Sequence, residues 1–326
     1  MPSEDPSDER RASLPEIRVA AVARDHFGFA EPRTASIRGA ALATESDRAM
    51  AVVDEPSMGV IGGVLLWVSK ADLVLEAVVV DGDAGAVDRW LDGFLPRPAV
   101  HALDGRVLRA PGESPIDLVP PAPTVPPAFD RPDLDVVVEN GVVRAEVAGL
   151  EVARVVVDDD GAEFVEIGVG GYDRAAHKVL SSGPVDEVLT DVIDRVRSVR
   201  QASVKAHTFN RLCRERWLRS VLVAHPALVG LRELVPVDPL PVRTSLLDVG
   251  PAPAVGTDGS GAVVLVVATA GIDLALAVST AAVAGREGAD RIVVTLPPRD
   301  RFGPLLDLLT TLRWPVDVVA IDPPWG

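Results

Sequence analysis

The pattern that most constrains the fold is an alternation of short β-branched runs with longer helix-like segments, and it occurs twice. In residues 48–104, AMAVVD, LVLEAVVVD and AVHAL are separated by PSMGVIGGVLLWVSK and AGAVDRWLDGFL. In residues 262–322, AVVLVVA, RIVVTL and VDVVAID are separated by GIDLALAVSTAAVAG and RFGPLLDLLTTL. A strand, a helix and a second strand in succession imply parallel pairing through a right-handed crossover. The sequence therefore predicts two βαβαβ-like units, which we interpret as an internal repeat or as two similar half-sheets.

The region between these segments has the pattern of antiparallel strands and helices. DVVVENGVVRAEV contains Asn140-Gly141, a strong hairpin turn signal, and GLEVARVVVDDDGAEFVEIGVG predicts a second hairpin. GPVDEVLTDVIDRVRSVR and residues 208–223 have apolar residues at helical spacing and are predicted to be helices. The predicted fold class is α/β, with two βαβαβ-like units flanking a central β-hairpin plus helix (α+β) domain.

Proline-rich stretches suggest where the domains end. Eight prolines fall between Pro111 and Pro132, which is typical of a linker with polyproline II character. From Ile17 to Ala43 the sequence alternates weakly, as in IRVAAVARDHFGFA, and this predicts one or two edge strands. The predicted organisation is a disordered tail (1–16), an N-terminal α/β unit (17–110), a Pro-rich linker (111–132), the central α+β domain (133–235), a second linker (236–260) and the C-terminal βαβαβ unit (261–326).

Composition excludes several classes of protein. The formal charge of −16 disfavours binding to nucleic acid or to an anionic membrane. Cys213 is the only cysteine, which rules out an intramolecular disulfide or a multi-cysteine metal site. The run from Ala262 to Gly285 is apolar enough to imitate a membrane span, but its β-branched first half and central Asp273 predict a buried strand and a helix. Because MPSEDPSDERR lacks the apolar core of a signal peptide, we expect a cytoplasmic protein.

Two acids of the second hairpin are candidate catalytic residues. If a tight turn at Asp160-Gly161 sets Asp159 opposite Ala162, strand alternation places Glu151 and Glu166 on one face of the sheet. Two carboxylates so placed resemble the acidic core of the PD-D/ExK nucleases, which bind a divalent metal ion. That resemblance implies a metal-dependent nuclease-like enzyme using Glu151 and Glu166. Gly168 occupies the position of the nuclease lysine.

Two other motifs resemble those of methyltransferases. FVEIGVGG is similar to the first motif of class I methyltransferases, in which an acid and a Gly-rich loop approach S-adenosylmethionine. AIDPPWG resembles the Asp-Pro-Pro-aromatic motif of amino-methyltransferases. These resemblances imply a cofactor site at the Glu166 loop, with Asp322, Pro323, Pro324 and Trp325 contacting a target amine.

A local reversal of charge marks a third candidate site. Residues 195–219 carry eight Arg or Lys residues and one acid, Glu215, in a chain whose net charge is −16. The residues that we expect to bind an anion are His207, Arg211, Arg214 and Arg216. The alternative interpretation is an intramolecular ion-pair network that offsets the acidic surface. Arg216 projects from the apolar face of its helix, so we expect it to meet a buried carboxylate: Glu151, Glu166 or Asp173.

The leading functional hypothesis is a non-catalytic or regulatory binding protein whose central domain recognises an anionic group or a partner protein. The Gly-rich exit of the second hairpin would contribute to the pocket through Gly168, Gly170, Tyr172 and Asp173. The motifs GLEVARV, EIGVGGYDR and NRLCRERWLR resemble those of an actinobacterial protein family, and this resemblance implies no particular activity. No histidine pair has zinc-ligand spacing, and the sequence assigns no cofactor or metal.

Overall fold

The computed structural model describes residues 13–115, 119–158, 160–180, 184–201, 203–204 and 207–325. The chain divides into two compact units, residues 1–115 and residues 116–326. The boundary between them falls inside the proline-rich stretch 111–132. The α/β class predicted from the alternating pattern is confirmed, because helices and three open sheets make up the described chain.

The first unit is built on a mixed sheet. Its elements are α1 (Leu14–Phe27), β1 (Arg33–Ile37), β2 (Ala40–Glu45), β3 (Arg48–Val53), α2 (Met58–Lys70), β4 (Val74–Val80), α3 (Ala84–Leu91), β5 (Ala99–Asp104) and β6 (Val107–Arg109). The strands follow one another across the sheet in chain order. β3, β4 and β5 run parallel, and the other neighbours pair antiparallel. The predicted βαβαβ order of residues 48–104 is confirmed.

The edge-strand prediction for 17–43 is wrong in its first part, where residues 17–27 belong to helix α1. In its second part the structure has β1, at the edge of the sheet, and most of β2. Ser13 caps the helix by accepting a hydrogen bond from the backbone of Glu16, and the Glu16 carboxylate accepts one from the Ser13 N–H in return. Val19, Val22 and Ala23 are buried at helical spacing. The helix also overlaps the end of the predicted tail, of which residues 1–12 lie outside the described residues.

The central part of the second unit is an antiparallel sheet with helices behind it. Its elements are β7 (Asp135–Glu139), β8 (Val142–Val147), β9 (Leu150–Val157), β10 (Glu163–Ile167), α4 (Gly170–Leu180) and α5 (Val185–Val199). The sheet order is β10-β9-β8-β7, so both predicted hairpins exist and share one meander. Helix α5 buries Leu189, Val192, Ile193 and Val196 against the strands, which removes one apolar stripe from water.

The rest of the second unit repeats the alternating order. Its elements are α6 (Arg214–Ala224), β11 (Val235–Pro236), β12 (Ala252–Thr257), β13 (Val263–Ala268), α7 (Leu276–Glu287), β14 (Arg291–Leu296), α8 (Gly303–Leu309) and β15 (Val316–Ala320). β13, β14 and β15 are parallel neighbours, and β12 pairs antiparallel with β13. In the first unit β3, β4 and β5 are likewise parallel, and β2 pairs antiparallel with β3. The strand and helix predicted within 262–285 are confirmed as β13 and α7. No helix in the described residues is long and apolar enough to cross a membrane.

The predicted helix at 208–223 is interrupted. Residues Thr208–Arg211 form a 3₁₀ turn, and Cys213 adopts a left-handed conformation (φ +45°) immediately before α6 begins. The two parts pack in different cores, because Phe209, Leu212 and Cys213 contact the central sheet whereas Trp217, Leu218 and Leu222 of α6 pack with β12 and β13. Helix α6 therefore bridges the central sheet and the C-terminal sheet within the second unit.

Candidate anion-binding cleft

The pairing of β9 with β10 differs by one residue from the predicted register. Glu166 lies opposite Arg154, and the Asp158 N–H donates to the Ala162 carbonyl at 3.0 Å. The prediction had set Asp159 opposite Ala162, and Asp159 itself lies outside the described residues. With strict alternation, this shift would place Glu151 and Glu166 on opposite faces of the sheet.

A β-bulge between β8 and β9 brings the two acids back to one side. Ala145 pairs with Ala153 and Glu146 pairs with Glu151, so Val152 is an extra residue in β9. As a result both carboxylates reach the same side chain from α4. Arg174 places Nη1 2.8 Å from Glu151 Oε1 and Nε 3.5 Å from Glu166 Oε2.

The two acids are neutralised by arginines. Arg144 Nε donates to Glu151 Oε2 at 3.0 Å, and Arg154 donates to Glu166 Oε2 from both Nε and Nη2. Among the residues that the structure describes, no cluster of three or more His, Cys, Asp or Glu side chains could hold a metal ion. Gly168 has a close-packing role, since a Cβ there would lie 2.8 Å from the Arg174 backbone nitrogen (φ +134°).

Arg216 meets buried carboxylates, but not those that the sequence predicted. Its guanidinium spans Glu139 and Glu146, with Nη1 2.8 Å from Glu146 Oε1 and Nη2 donating to Glu139 Oε2. Arg219 also donates to Glu139 and places Nη2 3.6 Å from Glu146 Oε2. The predicted contacts with Glu151, Glu166 or Asp173 were wrong, because α6 lies against the β8–β9 turn and places its arginines beside the edge strand β7.

Burial and charge affect the two inner carboxylates differently. Burial acts to raise the pKa of Glu139, but attraction by Arg219 and Arg216 outweighs it and lowers that pKa to about 2. For Glu146, burial exceeds the attraction of the same arginines and raises its pKa. Glu139 is therefore the firmly ionised partner of this buried cluster.

A cleft of about 410 Å³ opens beside these ion pairs. Its described lining contains five arginines and one carboxylate: Arg144, Arg154, Arg174, Arg216, Arg243 and Glu151. The remaining lining comes from the start of α4, the residues before α6 and the loop 244–247. The lining thus combines arginine side chains, each paired with a glutamate, with apolar side chains.

Arg243 belongs to the loop that closes the cleft. It is buried, its Nη1 lies 2.5 Å from Glu215 Oε1, and its Nε has no hydrogen-bond partner. The Asp248 carboxylate shapes this loop by accepting from the backbone N–H groups of Thr244 and Ser245 at 2.9 and 2.8 Å. Sequence reasoning missed Arg243, although it is the only basic residue in the predicted linker 236–260.

The predicted anion-binding residues lie in different places. Arg216 lines the cleft, whereas Arg211 is exposed outside it. The guanidinium carbon of Arg214 lies 5.5 Å from the centre of the Trp325 ring. The Nδ1 of His207 accepts a hydrogen bond from the Phe209 backbone at 3.2 Å. Sequence reasoning did not select three further lining residues, Arg144, Arg154 and Arg174. The first two lie on strands that also carry glutamates, and this mixture of charges was their sequence signal.

The predicted hairpin pocket is partly present. Gly170 and Tyr172 line the cleft. Asp173 instead holds the start of α4, since it accepts from the Val169 N–H at 2.9 Å and pairs with Arg195 at 2.7 Å. Gly168 and Asp173 therefore position the cleft wall and are not part of its described lining.

The residues of the methyltransferase-like motifs lie apart. Glu166 is on β10, which pairs antiparallel with β9, so it does not follow a strand of a parallel βαβ unit. Trp325 is buried against Trp217, with ring centres 5.8 Å apart, in the core of the C-terminal sheet. Asp322 is exposed, while Pro323 and Pro324 are half-buried.

The ion pairs at and around the cleft carry an excess of positive charge. Among the described residues they join six arginines to five glutamates, with Arg219, Glu139, Glu146, Glu166 and Glu215 just behind the lining. The excess is notable because the whole chain has a formal charge of −16. No protein-family model, no curated protein and no solved structure matches the chain.

Proposed function

We propose that the protein is a binding protein that recognises a small anionic ligand in this cleft. The observation that carries the proposal is the described lining itself, in which five arginines accompany one carboxylate. Guanidinium groups bind phosphate and carboxylate oxygens through paired, charge-assisted hydrogen bonds. An anion would therefore find several guanidinium groups in the lining of the cleft.

The arginines are held in place before any ligand arrives. Glu151 fixes Arg144 and Arg174, and the side chains of these two arginines are only 11% and 12% exposed. Donors that are ordered and partly withdrawn from water lose little conformational freedom when they bind, which favours affinity. Arg243 is held in the same way, since its Nη1 lies 2.5 Å from Glu215 Oε1 and its side chain is only 7% exposed.

The one thiol of the lining fits binding better than covalent chemistry. Burial raises the pKa of Cys213 to about 11, so this thiol is protonated at neutral pH. Its Sγ lies 3.5 Å from the Leu246 carbonyl oxygen and contributes to packing of the closing loop. This environment favours a ligand-recognising role for the cleft.

The proposal is tested by calorimetric titration of the purified protein with inorganic phosphate, sulfate and citrate at constant ionic strength. We expect saturable binding of at least one of these anions, and a loss of affinity of about tenfold or more in R174Q, which removes a charged hydrogen-bond donor. R197Q is the matched control, because Arg197 is half-exposed, pairs with Asp133 and lies outside the described lining. Absence of binding by all three anions, or equal losses in R174Q and R197Q, would overturn the proposal.

A thermal-unfolding series provides an independent readout. A ligand at one hundred times its dissociation constant stabilises the folded state by about 2.7 kcal/mol. Phosphate and sulfate also stabilise proteins in general by exclusion from their surface. The comparison of wild type with R174Q separates the two effects, because only binding in the cleft depends on Arg174.

A further inference from the structure

The lining of the cleft has a second chemical character besides charge. Besides the arginines, the lining contains apolar side chains, among them Leu212, Leu246 and Val169. Two further lining residues, Tyr172 and Leu247, are 93% and 77% exposed. A small inorganic anion such as phosphate would leave these apolar side chains in contact with water.

Tyr172 is well placed to contact a ligand at the mouth. It is the only tyrosine of the chain, and it stands in the first turn of α4 beside Gly170 and Gly171, which also line the cleft. A Cβ added to Gly171 would meet nothing within 4 Å, so the approach to the tyrosine from this side is open. Tyrosine offers a rigid aromatic face that loses little conformational entropy on binding.

The size of the cleft suits an organic anion. A volume of about 410 Å³ lies within the range of small-molecule sites, which usually combine an apolar lining with a few convergent polar groups. Covering Tyr172 and Leu247 would remove apolar surface from water, which favours binding of a ligand with an apolar part. Charge complementarity fixes the other end of the ligand as an anion.

Resting on the proposed function, we propose that the ligand is an anion joined directly to a flat apolar group, such as an aryl phosphate. The arginines bind the anionic end, and Tyr172 stacks on the flat group at the mouth. Tyr172 is then the residue that distinguishes aromatic from small aliphatic anions.

The test compares phenyl phosphate with methyl phosphate, since the two carry the same anionic group and differ in the aromatic ring. By calorimetric titration of the full chain, we expect phenyl phosphate to bind at least tenfold more tightly. Y172A should remove most of this advantage, so that its affinities for the two esters become similar, and Y172F should retain the advantage. R174Q should weaken both ligands. Tyr172 is almost fully exposed, so Y172A does not disturb the core.

The possible results separate this inference from the proposed function. Equal affinities for the two esters would overturn the aromatic assignment and leave anion binding intact. An advantage of phenyl phosphate that persists in Y172A would overturn the role given to Tyr172. Failure of both esters and of inorganic phosphate to bind would remove the proposed function itself. L228A serves as the control for loss of an exposed apolar side chain, because Leu228 lies outside the described lining.

Discussion

Gly149 lies against the backbone of Arg216 so closely that a Cβ at position 149 would be 2.3 Å from the Arg216 carbonyl carbon. Gly149 forms the β8–β9 turn with Ala148, and both residues have positive φ (+72° and +48°). This contact seats the first turns of α6 on the central sheet, which brings Arg216 and Arg219 to the carboxylates of Glu139 and Glu146. Because Gly149 has no side chain, α6 can pack closely enough to place Arg216 and Arg219 beside Glu139 and Glu146.

We expect G149A to destabilise the second unit by about 3 kcal/mol, since it combines backbone strain with overpacking against α6. Urea denaturation followed by circular dichroism measures the change in the free energy of unfolding. G303A is the control, because a Cβ at Gly303 meets nothing within 4 Å and its φ is not positive. A loss for G149A no larger than that for G303A would contradict the close contact.

Substitution of the two inner carboxylates should have unequal effects. E139Q removes the charge that lies between Arg216 and Arg219, and leaving buried cations short of a partner costs about 3–5 kcal/mol. E146Q should cost less, because burial already raises the pKa of Glu146 and favours its neutral form. Chemical denaturation at pH 7 compares the two variants. Equal losses of stability would contradict the assignment of Glu139 as the firmly ionised partner.

The depressed pKa of Glu139 predicts a pH dependence of stability. Its pKa is lowered from an ordinary 4.5 to about 2 in the folded state, so its contribution is fully present above about pH 4.5. As the pH falls from 4.5 towards 2, the unfolded chain binds the proton first, and this contribution is lost. E139Q lacks this carboxyl, so its free energy of unfolding should fall less than that of the wild type as the pH is lowered. Stability curves of wild type and E139Q that stay parallel between pH 5 and pH 3 would exclude the contribution.

Arg200 is expected to be structural. It donates to the carbonyl oxygens of Ala148, Phe209, Leu212 and Cys213, and its guanidinium carbon lies 4.4 Å from the centre of the Trp217 ring. Burial lowers the pKa of Arg200 to about 10, which still leaves it charged at neutral pH. R200K should lower the free energy of unfolding by about 3 kcal/mol, because an ammonium group cannot donate to all of these acceptors at once and leaves buried carbonyl oxygens unpaired. R197K, at a half-exposed arginine, should change the unfolding free energy by less than about 0.5 kcal/mol.

Divalent metal should not bind between Glu151 and Glu166. Arg174 contacts both carboxylates, and Arg144 and Arg154 pair with one each, so a cation would have to displace arginine charges. We expect no change in melting temperature with Mn²⁺ or Mg²⁺. A shift with Mn²⁺ that disappears in E166A would revive the nuclease-like interpretation and contradict this prediction.

The sequence alone determined the local elements and the class of fold. The runs AVVLVVA and RIVVTL, with a helix-length segment between them, predicted β13, α7 and β14 correctly. They could do so because β-branched runs and helical spacing show which residues of a single segment are buried. Helix α1 was missed although Ser13 and Glu16 form a capping box, because residues 1–16 were assigned to a tail and the weak alternation of 17–43 to edge strands. The basic segment before and within α6 and the Gly-rich start of α4 also pointed towards the cleft.

Tertiary structure decided which charges meet. Whether Glu151 shares a face with Glu166 depended on a register shift and a compensating bulge at Val152, and neither leaves a local signal in the sequence. The partners of Arg216 were set by the packing of Gly149 against α6, and Arg243 reached Glu215 from a distant proline-rich loop. Local sequence encodes which residues are helical or extended, because that depends on neighbours along the chain. Pairing across elements depends on how separate surfaces fit, and this decided the chemistry of the cleft.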